Sequence, residues 1–142
     1  MNLSEHFTLR ELTKSNTASR LGIDNTPTDE ALEQLKKLCT EVLEPIRVKY
    51  GKPIIVDSGY RSEKLNKAIG GAKTSQHMTG GAADIDASDG DNAKLFNLIK
   101  DMIENGELKV GQLIWEKGNK IQPDWVHVSI PYRKVNQILY LY

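Results

Sequence analysis

Ser75-Gln76-His77-Met78-Thr79-Gly80-Gly81-Ala82-Ala83-Asp84-Ile85-Asp86-Ala87 is the stretch on which the fold turns. From Ala82 to Ala87 small or apolar residues alternate with acids, the two-residue period of a strand with one face in a core. Ala83, Ile85 and Ala87 share one face of that strand, and Ala82, Asp84 and Asp86 share the other. Two carboxylates on one face of a core strand are unfavourable unless a cation or hydrogen-bond donors satisfy them. The first half of the stretch is a polar loop ending in Gly80-Gly81, whose missing Cβ atoms permit unusual dihedrals. The glycine turn can bring a loop histidine, His77, and a strand aspartate, Asp84, to a single cation.

Upstream, Pro53 to Val56 is short, apolar and β-branched, and reads as another strand. Asp57 to Arg61 reads as a loop and Ser62 to Ala68 as two helical turns. Before them, apolar residues recur at Leu32, Leu35, Leu38, Cys39, Val42, Leu43 and Ile46, the period of a helix on a core. Thr26-Pro27 reads as its N-cap and first residue, and Pro45 is expected to kink or end it near Glu44. Thr8 and Glu11 have capping-box spacing at the head of a short lead-in helix. Downstream, Asn92 to Glu104 reads as a helix with Gly106 just past its end. Gln112 to Trp115 and Trp125 to Ile130 read as strands, and Gln137 onward as a last one. The expectation is one α+β domain over residues 1–142, with a small, mostly antiparallel sheet and flanking helices.

Composition narrows the function. The chain has 142 residues, with 19 basic and 19 acidic side chains and zero net charge. There is no global pull toward nucleic acid or an anionic membrane, so neither is an expected partner. One cysteine excludes an internal disulfide and a cysteine-rich metal site. Cys39 sits among apolar residues at helical spacing and reads as a buried thiol. No apolar run of ~18 residues is present, so no transmembrane helix is expected. Met1 to Leu12 lacks the basic and apolar halves of a signal peptide, so synthesis in the cytoplasm is expected.

There are three histidines. His6 has no partner nearby in sequence and reads as exposed. His127 lies in Trp125-Val126-His127-Val128-Ser129, where Val126, Val128 and Ile130 make the buried face and Trp125, His127 and Ser129 the other. His77, Asp84 and His127 therefore form a candidate two-nitrogen, one-oxygen set. Three protein ligands with a fourth position left for water is the pattern of catalytic zinc. Asp124 lies three residues before His127, an odd offset that suits a site residue only if Asp124 sits in the turn before the strand.

These residues resemble a known family. Ser75-x-His77-x-x-Gly80-x-Ala82-x-Asp84 is similar to the SxHxxGxAxD signature of M15-type zinc peptidases. That group comprises D-alanyl-D-alanine carboxypeptidases and dipeptidases and phage L-alanyl-D-glutamate endopeptidases. Asp124-Trp125-Val126-His127 resembles the family's second motif and Ser58-Gly59-Tyr60-Arg61-Ser62 a third, so the likeness covers about residues 53–130. The resemblance implies one zinc per chain on His77, Asp84 and His127, and a fold shared in outline with the hedgehog signalling domain. It implies Asp124 as general base and acid, Arg61 on the substrate and the developing oxyanion, and Ser75 and Tyr60 lining the site. Many members have glutamate where this chain has Asp124, and Glu116 is a rival base. Asp86 and Asp57 are candidates to orient a histidine through its other ring nitrogen.

The implied substrate is a peptide bond of the peptidoglycan stem, cut as carboxypeptidase or endopeptidase, with a phage endolysin among the readings. Action at the cell wall would then follow phage-type release, and a monomer is expected. The alternative is a catalytically silent, zinc-containing module that grips peptidoglycan or a protein. Arg61 has a bland reading too, as a surface arginine paired with Glu63 or Asp57, and Glu116 has one as an exposed edge charge.

Overall fold

The alternation read over Ala82–Ala87 is a strand in the computed structural model, which describes residues 1–142. It is β2, and it lies next to the edge of a five-stranded sheet. The other strands are β1 (Ile54–Ser58), β3 (Gln112–Glu116), β4 (Trp125–Ser129) and β5 (Gln137–Leu141), in the order β1-β2-β4-β3-β5. Three of the pairings are antiparallel, and β3 with β5 is parallel. The expected small, mostly antiparallel sheet is therefore a mixed one, and the fold is α+β.

One face of the sheet is apolar. Ala83, Ile85, Val126, Val128, Leu113 and Trp115 are buried there, in a core that also takes in Leu95, Phe96 and Ile99. Those three belong to a helix spanning Asn92–Glu104, which packs across β2, β3 and β4. Phe96 meets Trp115 edge-on, with ring centroids 5.3 Å apart. The opposite face presents Asp84, Asp86, His127 and Glu116.

The helices depart from the sequence reading in two places. The first long helix begins at Asp29, and its N-cap is Thr28, whose side chain accepts from the Ala31 backbone, rather than Thr26. Thr26 instead donates its backbone N–H to Asp24. Pro45 does not end this helix. The chain passes from Asp29–Leu38 through a π turn, Cys39–Leu43, into Glu44–Tyr50. The Glu44 N–H reaches back five residues to the Cys39 carbonyl. The wider turn gives room for a residue that cannot donate. Leu35, Leu38, Cys39, Val42, Leu43 and Ile46 are all buried, so keeping that stripe on the core outweighs the local rule. Burial pushes the Cys39 thiol up to about 12, as a structural cysteine requires. The Thr8–Glu11 capping box forms as read.

Gly80 ties this helix to the loop that carries His77. A 3₁₀ turn, Gln76–Thr79, ends on Gly80 at φ 82°, and a Cβ there would run into the Ala31 carbonyl oxygen. Gly80→Ala combines left-handed strain with that collision. It is expected to lower stability by about 2 kcal/mol, read as a lower denaturant midpoint with an unchanged slope.

Candidate metal centre

Each of the three candidate ligands comes from a different element, and the sheet register brings them together. Asp84 on β2 is directly opposite His127 on β4. His77 reaches the same point from the 3₁₀ turn that precedes β2. His127 Nδ1 lies 2.9 Å from Asp84 Oδ1, and His77 Nε2 lies 3.4 Å from Asp84 Oδ2. The two imidazoles meet edge-on with centroids 5.3 Å apart. One ligand atom from each residue lies within 4.8 Å of the other two.

The tautomer of His77 is the most telling feature. Its Nδ1 is 2.8 Å from the Gly59 carbonyl oxygen, which can only accept, so Nδ1 carries the proton and donates. In the neutral ring Nε2 then presents a lone pair toward the Asp84 carboxylate. Two acceptors face each other in a buried site, which is unfavourable unless a proton or a metal ion sits between them. The two nitrogen–oxygen spacings, 2.9 and 3.4 Å, lie either side of the about 3.3 Å that separates neighbouring ligand atoms when bonds of ~2.0–2.2 Å meet at tetrahedral angles. Burial pushes the Asp84 carboxyl upward; when the rings of His127 and His77 are protonated, their hydrogen bonds and positive charge outweigh it and hold the carboxyl well below the usual range. Asp84 is thus poised as an anion, the form a metal needs.

The remaining predicted residues divide. Ser75 is at the site: it caps the 3₁₀ turn by accepting from the His77 N–H at 3.2 Å, and Arg61 Nη2 lies 3.5 Å from its hydroxyl. Arg61 forms no ion pair with Glu63 or Asp57. Its Nε is buried without a partner. Burial lowers the guanidinium's hold on its proton, and the nearby Asp84 carboxylate partly offsets that. Tyr60 lines a hollow together with Asp57, Ser58 and Arg61. It is buried in the core, with its backbone N–H on the Leu12 carbonyl, and does not line the cleft beside His127.

Asp57 and Asp86 do not orient a histidine. Gly59 already takes the second nitrogen of His77, and Asp86 accepts from the Asn92 side chain at 2.8 Å. Asp57, at a register shift in β1, faces Asp86 instead. Although Asp57 keeps one side in solvent, desolvation of its carboxyl, a hydrogen bond with Asp86 and the charges of Asp86 and Asp84 push it up to about 7. The folded chain therefore holds a proton that the unfolded chain releases near pH ~4. Stability is lost as pH rises from ~4 to ~7 and stays lower above that. Asp57→Asn removes the penalty. In chelator-treated protein its melting temperature is expected to exceed the parent's at about pH 8, with a smaller gap at about pH 5.

Two carboxylates compete for the role of base. Asp124 is exposed in the bend before β4, the placement the sequence reading required of a site residue there, and its backbone N–H donates to the Glu116 carbonyl at 2.9 Å. Glu116 ends β3 opposite Trp125, two residues along from Ile114, which is opposite His127. By alternation its side chain shares the face of His127 and Asp84. Burial raises its pKa, and the charges of His127, Asp84 and His77 all act on it.

His6 is exposed, as expected, and it pairs with Glu44, which lies 38 residues away in sequence. Glu5, His6 and Glu44 form a second group close enough to share an ion. Two of its members are engaged with each other, and Glu44 also accepts from Ser4 and from the His6 backbone.

The peptidase M15 family model matches residues 5–129. The chain belongs to the peptidase M15 family. The match takes in every candidate ligand, Arg61, Glu116 and Asp124, so a peptidase of this family carries this arrangement. A comparison with curated proteins gives no match. Within this M15 peptidase, sequence reasoning missed the Gly59 carbonyl, which no side chain signals, and Asn92, whose amide holds Asp86. No helix is long and apolar enough to cross a membrane.

Proposed function

We propose that this M15 peptidase is a zinc-dependent hydrolase of peptide bonds in the bacterial peptidoglycan stem, with His77, Asp84 and His127 as the ligands. The observation that carries the zinc reading is the lone pair of His77 Nε2 facing Asp84, fixed by the bond from Nδ1 to Gly59. When bound, zinc supplies Lewis acidity, polarising a carbonyl and acidifying water. Ser75 orders the turn that presents His77. Glu116 accepts a proton from the attacking water at a carboxylate oxygen and returns it to the leaving amine nitrogen. Its raised pKa brings it closer to the working pH, where such transfer is efficient. Asp124 is the second candidate for that step, on the strength of its place in the motif. Arg61 offers its guanidinium to the carbonyl oxygen, or to a terminal carboxylate if the enzyme trims chain ends.

The test is digestion of purified peptidoglycan by the protein as isolated, after chelation, and after zinc is restored, with products weighed by mass spectrometry. Peptide fragments or free D-alanine that appear only with metal support the reading, and their masses name the bond. Zinc binding with no bond cut across several wall types would transfer the argument to a binding module.

A further inference from the structure

Beside His127 the surface opens into a cleft of about 640 Å³. Its floor is Gln112, Ile114 and His127. One wall is the loop over 72–79 and the other the loop over 132–134. Lys73 stands in the first wall, and Arg133 and Lys134 stand in the second. None of the residues lining the cleft is acidic. None of the three cations takes part in an ion pair, although Lys36, Lys49 and Lys52 elsewhere each do. The one aromatic contact among them is Arg133 over the Tyr132 ring at 5.5 Å. In a chain with 19 basic and 19 acidic residues this is a local excess, not a general surplus. Like charges gathered around a concave surface repel one another and raise its affinity for an anion.

We propose that Lys73, Arg133 and Lys134 form an anion-selective subsite that favours stem peptides carrying free side carboxyls over the same peptides with those carboxyls amidated. The subsite rests on the peptidase reading above. It shares His127 and Ser75 with the candidate metal centre, so an anion held there arrives attached to the chain being cut. The anions of a peptide are carboxylates, for which Arg133 supplies a fork and the two lysines point charges. All three side chains are exposed, so each contact is weak and screened by salt. Three together give a preference of about tenfold.

The experiment pairs two synthetic stem peptides that differ only in whether the side carboxyls are free or amidated. The zinc-loaded protein is compared with a triple variant, Lys73→Gln, Arg133→Gln and Lys134→Gln, whose sites are exposed loops. Cleavage efficiency is measured where a bond is cut, and calorimetric affinity is measured in every case. The expected result is a preference of about tenfold for the acidic peptide, which shrinks in high salt and disappears in the triple variant while the amidated peptide is handled as before. Equal handling of both peptides, binding of neither, or a preference that survives in the triple variant would overturn the subsite. Preferential binding of the acidic peptide without cleavage by the parent protein would sink the peptidase reading and leave the subsite standing.

Discussion

His127→Ala is expected to abolish zinc retention and to lower peptide-bond hydrolysis on the order of a thousandfold or more. The size of the effect follows from the geometry. In the proposed centre His127 would supply one of the two imidazole nitrogens, and its Nδ1 lies 2.9 Å from Asp84 Oδ1. Removing the ring leaves one nitrogen and one carboxylate, too few for a stable catalytic zinc site. His127 is on the sheet face away from the packed core, so the variant should keep its far-ultraviolet circular dichroism and melt cooperatively. Metal content separates a lost site from a lost fold. A variant that folds, holds no zinc and is inactive matches the account. A variant that folds, holds no zinc and remains active would detach the reaction from the metal.

Glu116→Gln is expected to retain zinc and lose about a hundredfold to ten-thousandfold in kcat. Asp124→Asn, measured in parallel, should lose less than about tenfold. The contrast rests on placement. Glu116 shares the sheet face of Asp84 and His127 and feels the charges of all three candidate ligands, whereas Asp124 is an exposed residue in the bend before β4. The pH profile adds a readout that a structural role would not move. Burial and Asp84 raise the Glu116 pKa above its ordinary value, so the acidic limb of kcat/KM in the parent should lie above the range of a free glutamate. That limb should vanish in Glu116→Gln. The reverse pattern, with Asp124→Asn inactive and Glu116→Gln near the parent, would assign the base to the motif position and leave Glu116 as a neighbouring charge.

The parts of this protein legible in its sequence were those whose physics is local. β2 and β4 alternate with period two, and their buried faces, Ala83-Ile85-Ala87 and Val126-Val128, are the ones the alternation predicts. The helix over Asn92–Glu104 was equally plain. Where local rules met tertiary packing, packing won. A proline predicts a break near Glu44, but the buried stripe from Leu35 to Ile46 keeps the helix on the core through a π turn. The Thr28 cap lay two residues from the predicted one because a threonine followed by proline imitates a helix start.

The site was half legible for the same reason. His77, Asp84 and His127 were recognisable as a set from residue type and motif. Their meeting depends on the β2–β4 register, which no single segment contains. The partner of His77 Nδ1 is a backbone carbonyl 18 residues away and leaves no trace in composition. Acids next to a metal motif, such as Asp57 and Asp86, invite a reading as partners of a histidine. The register shift in β1 turns them toward each other instead. The parallel pairing of β5 with β3 was equally hidden, since a short apolar strand does not encode its direction.

The most direct test of the central claim is the metal content of the purified protein after dialysis against a trace of zinc, measured by elemental mass spectrometry beside Asp84→Asn and His127→Ala. The account predicts one zinc per chain in the parent and almost none in either variant. A parent that takes up no zinc, or a His127→Ala protein that still holds one per chain, would contradict the assignment of His77, Asp84 and His127 as the metal centre.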